Sequence, residues 1–265
     1  MAVATDVRRI ALLVAYDGTP FNGFAANEGV PTVAGELTRA LQQVTNHPVK
    51  ITGAGRTDAG VHAWGQVVSV DVPAATDIAQ LPRALTALCR PSIVVRDVRP
   101  VAAEFSARFD ALWRRYRYTI LNSATPDPFR ANTSWHVRAP LDLRALRLAS
   151  DPLIGERDFT AFCRKPDPAD MPGGVEASMK RYVHEATWST PEPDVVRFEI
   201  RANAFCHQMV RSIVGTLVDV GTGRRPAADV MMLMRSGDRR EASPVAPPNG
   251  LCLWEVGYPD AASSD

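Results

Sequence analysis

Gly53-Ala54-Gly55-Arg56-Thr57-Asp58-Ala59-Gly60 runs into Val61-His62-Ala63 and then into Val67-Val68-Ser69-Val70-Asp71-Val72. The glycines first suggest a dinucleotide fingerprint, but Asp58 stands where the third glycine belongs. The residues beyond the glycines alternate with a period of two, Val68, Val70 and Val72 against Ser69 and Asp71, and read as a half-buried strand rather than a helix. A carboxylate at that point would also repel a pyrophosphate. The small residues therefore bend a loop for another purpose, presenting one cation, Arg56, and one carboxylate, Asp58, two residues apart. Such a pair suits a substrate with a phosphate beside an electrophilic carbon. The competing reading is a turn in which Asp58 caps its own backbone.

Outward from this loop the pattern is that of an α+β protein with a mostly antiparallel sheet and helices packed on it. Upstream, Ile10, Leu12, Val14 and Tyr16 alternate before the turn Asp17-Gly18-Thr19-Pro20. Pro31-Thr32 starts a helix with Val33, Leu37, Leu41 and Val44 on one face. Downstream, a strand over 113–120 puts Tyr116, Tyr118 and Ile120 on one side and Arg115 and Arg117 on the other. Val196, Phe198 and Ile200 against Arg197, Glu199 and Arg201 give another strand. A helix is predicted from about Phe205 to Val220, with Met209, Val210, Ile213, Val214 and Leu217 on its apolar face, and a last strand from Leu251 to Tyr258. The stretches 165–178 and 242–249, rich in proline, read as loops. Two halves are expected, 1–107 carrying the glycine-rich loop and 108–265.

Arg211 lies on the apolar helix, with Gly215 one turn later clearing space for it. If buried, it needs an anionic partner, for which Asp58 is a candidate; otherwise it is a helix-edge arginine in water. Tyr118 reads equally as a core tyrosine or an aromatic platform. His62 and His207 read as structural rather than catalytic.

Hydrophobic residues make up 46% and charged residues 22% of the 265, as in ordinary globular proteins. No run approaches the roughly 20 apolar residues that span a bilayer, and no apolar segment comes after the first arginines as in a secretory signal. A cytoplasmic protein is expected. The net charge of +1 points to no nucleic-acid partner, but four arginines between Arg108 and Arg117, interleaved with Phe109, Trp113 and Tyr116, could track phosphates. The four cysteines, Cys89, Cys163, Cys206 and Cys252, form no CxxC pair, so they are expected to be reduced and mostly buried, with no zinc site.

The run from Gly53 to Ala63 resembles the catalytic motif of the tRNA pseudouridine synthase A family nearly residue for residue. Tyr16-Asp17-Gly18-Thr19 with Phe21-x-Gly23-Phe24 is similar to that family's opening motif. Phe105 to Phe109 with Arg114 to Tyr118, Asp158-Phe159 with Phe162, Ala202 to Phe205 with His207-x-Met209-Val210-Arg211-x-Ile213-Val214-Gly215, and Ala246-Pro247 with Gly250-Leu251 resemble the later ones. The resemblance implies an isomerase that converts uridine to pseudouridine in the anticodon stem-loop of tRNA, at positions 38–40, with no cofactor and no metal. It implies Asp58 as the catalytic aspartate, Arg56 beside the flipped nucleotide, Tyr118 stacked on the target base and Arg211 paired with Asp58. It also implies two related halves sharing one sheet with a central active-site cleft, and a homodimer on tRNA. One departure is Gly23-Phe24-Ala25 where the family carries Gly-Trp-Gln, which bears on the RNA contacts expected of that loop. The alternatives are a catalytically silent RNA-binding protein of the same fold and an N-glycoside hydrolase releasing uracil. The second needs a water-activating carboxylate opposite Asp58, and no second acid stands in the motif.

Overall fold

The computed structural model describes residues 6–165 and 178–259; the loop read over 165–178 lies outside them except for its two end residues. In chain order the elements are β1 (Val7–Tyr16), α1 (Val33–Thr45), β2 (Thr52–Gly53), β3 (His62–Pro73), α2 (Leu81–Cys89), β4 (Ile93–Pro100) and β5 (Trp113–Leu121). Next come β6 (Trp135–His136), α3 (Leu143–Ser150), β7 (Gly155–Asp158), β8 (Lys180–Glu192), β9 (Val195–Ala202), α4 (Met209–Gly221), α5 (Asp229–Ser236) and β10 (Leu251–Gly257). The chain forms two compact units, residues 1–112 with 252–265, and residues 113–251.

In the first unit β1 pairs antiparallel with both β3 and β4, and β3 also receives β2 antiparallel and β10 parallel, Cys252 opposite His62. Ile10, Leu12 and Val14 are fully buried, as are Leu37 and Leu41 of α1 and Leu81 and Leu85 of α2. Each such side chain contributes roughly 1.5–3 kcal/mol through burial. Thr32 caps α1, its hydroxyl accepting from the Gly35 amide at 3.2 Å. Val44, expected on the same face, is 36% exposed, because α1 is in its last turn there and ends at Asn46 in the left-handed conformation.

In the second unit β5, β9, β8 and β7 pair antiparallel in that order, with β6 parallel on β5. The strand alternation holds: Tyr116, Tyr118, Ile120, Phe198 and Ile200 are buried. On the other face Arg117 Nε lies 2.9 Å from Glu199 Oε1, and Arg115 reaches Glu199 and Glu185 at 3.5 and 3.7 Å. Arg115 and Arg117 of β5 are therefore held by acids of β9 and β8. The helix expected from Phe205 begins at Met209 instead, because Gln208 at its N-cap is left-handed, φ 64°, and a left-handed residue cannot continue a right-handed turn. Gly215 makes room not for Arg211 but for the passing chain, since a Cβ there would strike the Pro244 carbonyl. Cys163 and Cys206, expected to be reduced, are joined as a disulfide across 43 residues; Cys89 and Cys252 take no part in it.

Candidate active site

The loop between β2 and β3 is braced from both sides. Ala54 N donates to Val67 O at 2.8 Å. Gln66, fully buried in β3, brackets the next residue: its Nε2 donates to Gly55 O at 2.7 Å and its Oε1 accepts from Gly55 N at 3.2 Å. The same Nε2 reaches the Tyr16 hydroxyl at 3.3 Å, which in turn meets Thr57 Oγ1 at 2.8 Å. From the opposite side Phe24 N donates to Thr57 O at 3.0 Å and Gly60 N to Phe21 O at 3.3 Å. Val61 N closes a turn onto Asp58 O at 3.1 Å. The backbone on each side of Arg56 and Asp58 is thus fixed, with Arg56 exposed and Asp58 half-buried.

A second set of contacts holds the end of the loop. The Gly18 amide donates to His62 Nδ1 at 3.0 Å, and Asp17 Oδ1 lies 3.1 Å from the same nitrogen. Asp17 also accepts from the Thr19 amide and hydroxyl at 2.9 and 2.6 Å. Burial pushes its carboxyl up, but these donors and His62 outweigh burial and leave it below its ordinary value. His62 thus ties the end of the loop to the turn after β1. Burial pushes the Tyr16 hydroxyl far up, against the pull of its bonds to Thr57 and Gln66, so it stays a neutral member of the brace.

Phe24, within the Gly-Phe-Ala departure, is packed inward. Its side chain is 4% exposed, and its ring lies so close over Gly53 that a Cβ on Gly53 would collide with it. Phe24 supports the loop from beneath and offers no surface for RNA. Among the described residues no cluster of three or more His, Cys, Asp or Glu could hold a metal ion.

Tyr118 and Arg211 belong to the second unit. Tyr118 is fully buried, its ring edge-on to Trp135 with centroids 6.3 Å apart. Its hydroxyl donates to Pro247 O at 2.8 Å. Burial raises the hydroxyl's pKa, with the Arg211 charge acting in the opposite sense. Gly250 packs against the ring, where a Cβ would come within 2.6 Å of it. Arg211, half-buried in the first turn of α4, donates from Nε to Ala246 O at 2.8 Å, and Ala246 N donates to Arg211 O at 3.1 Å. The structure therefore brings Asp58 and Arg56 together on one loop, and Tyr118 and Arg211 together in the other unit. Sequence reasoning missed Gln66, which stands directly before Val67-Val68 and whose partners lie on other segments.

A family model described as tRNA pseudouridine synthase matches residues 12–110 and 149–259. Three relatives named tRNA pseudouridine synthase A are similar over nearly the whole length. That of Brevibacillus brevis is 40% identical over 95% of this chain and 100% of its own. That of Cutibacterium acnes is 42% identical over 95% and 89%, and that of Thermus thermophilus 40% identical over 96% and 98%. Among solved structures, a chain in the crystal structure of a Cbf5-Nop10-Gar1 complex is similar at TM-score 0.38 and 13% identity, over 80% of this chain and 45% of that one, too distant to bear on the site. Matched from Leu12 to Pro259, with the braced Arg56–Asp58 loop inside the match, the chain belongs to the tRNA pseudouridine synthase family.

Proposed function

We propose that this protein isomerises uridine to pseudouridine in tRNA, with Asp58 as the catalytic carboxylate. The observation that carries the reading is the bracing of Gly55, Thr57 and the 58–61 turn, which leaves one carboxylate and one guanidinium on a backbone that has nowhere to move. A fixed charge needs little reorganisation when the transition state forms, which is where electrostatic catalysis gains most. The reaction breaks the N1–C1′ bond, turns the uracil over, joins C5 to C1′ and expels the C5 proton. Asp58 serves at C1′, as nucleophile or by stabilising the positive charge that develops there.

Arg56, exposed beside Asp58, takes the phosphates of a nucleotide drawn out of its stack. Tyr118 is the aromatic neighbour of the detached uracil that the family resemblance implies. Arg211 balances the charge of Asp58. No step calls for a cofactor or metal. The protein is further proposed to act as a homodimer in the cytoplasm, as the family resemblance implies; among the described residues no helix is long and apolar enough to cross a membrane.

The proposed targets are the uridines of the anticodon stem-loop. Carbodiimide labelling and primer extension on unmodified tRNA transcripts treated with the protein should give stops at positions 38–40. Stops only elsewhere would contradict the target. Abasic sites with free uracil would contradict isomerisation itself and favour the hydrolase.

A further inference from the structure

The Cys163–Cys206 disulfide, with Cα atoms 5.7 Å apart, lies next to the element that carries Arg211. Cys163 is 1% exposed, whereas Cys206 is half-buried. The two segments meet at further points. Arg164 N donates to His207 O at 2.9 Å. Arg239 bridges them, with Nη1 to Phe162 O at 3.4 Å and Nη2 to Gln208 Oε1 at 2.7 Å. Gln208 is the left-handed N-cap of α4 and makes no side-chain capping bond. The turn that launches α4 therefore takes its geometry from these cross-links, and Arg211 sits within the first turn beyond it.

The chemistry of the pair favours exchange. Cys206, the more exposed residue of the two, is the one an attacking thiolate meets first. A protein acting on tRNA works where thiols are kept reduced, and disulfides in such compartments are mostly transient and redox-sensing.

We propose that Cys163 and Cys206 form a reversible clamp, closed by small-molecule disulfides and opened by thiols, that sets the launch of α4 and with it the position of Arg211. The role of Arg211 and the reducing surroundings rest on the isomerase reading; thiol–disulfide exchange at the pair does not. In closing, the Cys206 thiolate attacks one sulfur of glutathione disulfide, forming a mixed disulfide and releasing one glutathione thiolate. The Cys163 thiolate then attacks the Cys206 sulfur and releases the second. The two cysteines lose two electrons and two protons, and the small disulfide leaves as two thiols.

The test uses the full chain, equilibrated with dithiothreitol or with glutathione disulfide, quenched in acid, denatured, alkylated and weighed. The reduced protein should carry an alkyl group on each of its four cysteines. The oxidised protein should carry two, mapping to Cys89 and Cys252. The closed form should melt roughly 5 °C higher. It should turn over tRNA about threefold faster in kcat with KM little changed, since a positioned Arg211 acts after binding. Cys206→Ser and Cys163→Ser should each stay at the reduced values under both conditions. Four alkylated cysteines after glutathione disulfide, a stable glutathione adduct without closure, or closure that moves neither melting nor kcat would overturn the clamp. Thiol counting and melting need no RNA. Closure and a melting shift in a protein inactive on tRNA would sink the isomerase reading alone, and turnover without closure would sink the clamp alone.

Discussion

Arg211 and Ala246 hold each other twice, through Arg211 Nε to Ala246 O at 2.8 Å and Ala246 N to Arg211 O at 3.1 Å. The side chain is thereby aimed by the backbone that passes Gly215. Arg211→Lys keeps the charge and loses the Nε donor, leaving the Ala246 carbonyl without it. The expected result is a fall in kcat/KM of about 30-fold, roughly 2 kcal/mol of transition-state stabilisation, with melting within a few degrees of wild type. A lysine variant that turns over at the wild-type rate would contradict an aimed guanidinium.

Tyr118→Phe removes one hydroxyl, the donor to Pro247 O at 2.8 Å. The ring and its packing on Gly250 and Trp135 remain. The cost is about 1 kcal/mol of stability, seen as a drop in Tm of about 2–4 °C, with turnover retained within about threefold. A folded variant losing more than about 100-fold in turnover would move the hydroxyl into the chemistry.

Gln66→Leu strips both Gly55 backbone groups and the Tyr16 hydroxyl of a buried partner. The loss should be about 2–4 kcal/mol of stability. Because the bracing positions Asp58 rather than binding RNA, kcat should fall about 10- to 100-fold while the dissociation constant for tRNA changes less than about threefold. Unchanged kcat in the folded variant would show that the loop keeps its shape without Gln66.

Arg9 clasps Asp71 through Nε to Oδ1 at 2.7 Å and Nη2 to Oδ2 at 2.6 Å. The Arg9 hydrogen bond, against a smaller opposing effect of burial, holds the Asp71 carboxyl below its ordinary value. A carboxyl depressed in the folded state stabilises above its unfolded pKa, near pH 4, and that stability disappears as pH falls through the folded pKa. Both side chains are partly exposed, so screening limits the effect to about 1 kcal/mol. Asp71→Asn should lower Tm at pH 7 and leave it unchanged near pH 2. An equal drop at both would assign the effect to packing instead.

The strands are the most legible part of the sequence. In β9 the alternation of Val196, Phe198 and Ile200 with Arg197, Glu199 and Arg201 carries the burial of the sheet directly. Helices α2, α3 and α5 are only eight or nine residues long and a sequence reading passes over them, although α2 buries Leu81, Leu85 and Cys89 at helical spacing. The start of α4 is misplaced by the sequence because nothing in Phe205-Cys206-His207-Gln208 forbids a helix; the left-handed Gln208 and its bond to the distant Arg239 have no local signature. Asp58 and Arg56 are legible as a motif, but their support is not. Tyr16 and Gln66 are 50 residues apart, and a side-chain brace between distant positions leaves no local pattern. The parallel pairing of Cys252 with His62 and the Cys163–Cys206 bond are invisible for the same reason.

Uridine isomerisation by Asp58 is best tested by tritium release from unmodified tRNA labelled at uracil C5, with the wild type and Asp58→Asn side by side. Joining C5 to C1′ expels the C5 hydrogen, so the wild type should release tritium, and the Asn variant, folded and still binding tRNA, should release at least about 1,000-fold less, a loss of roughly 4 kcal/mol. Release by Asp58→Asn near the wild-type rate, or none from the wild type, would contradict the assignment of uridine isomerisation to Asp58.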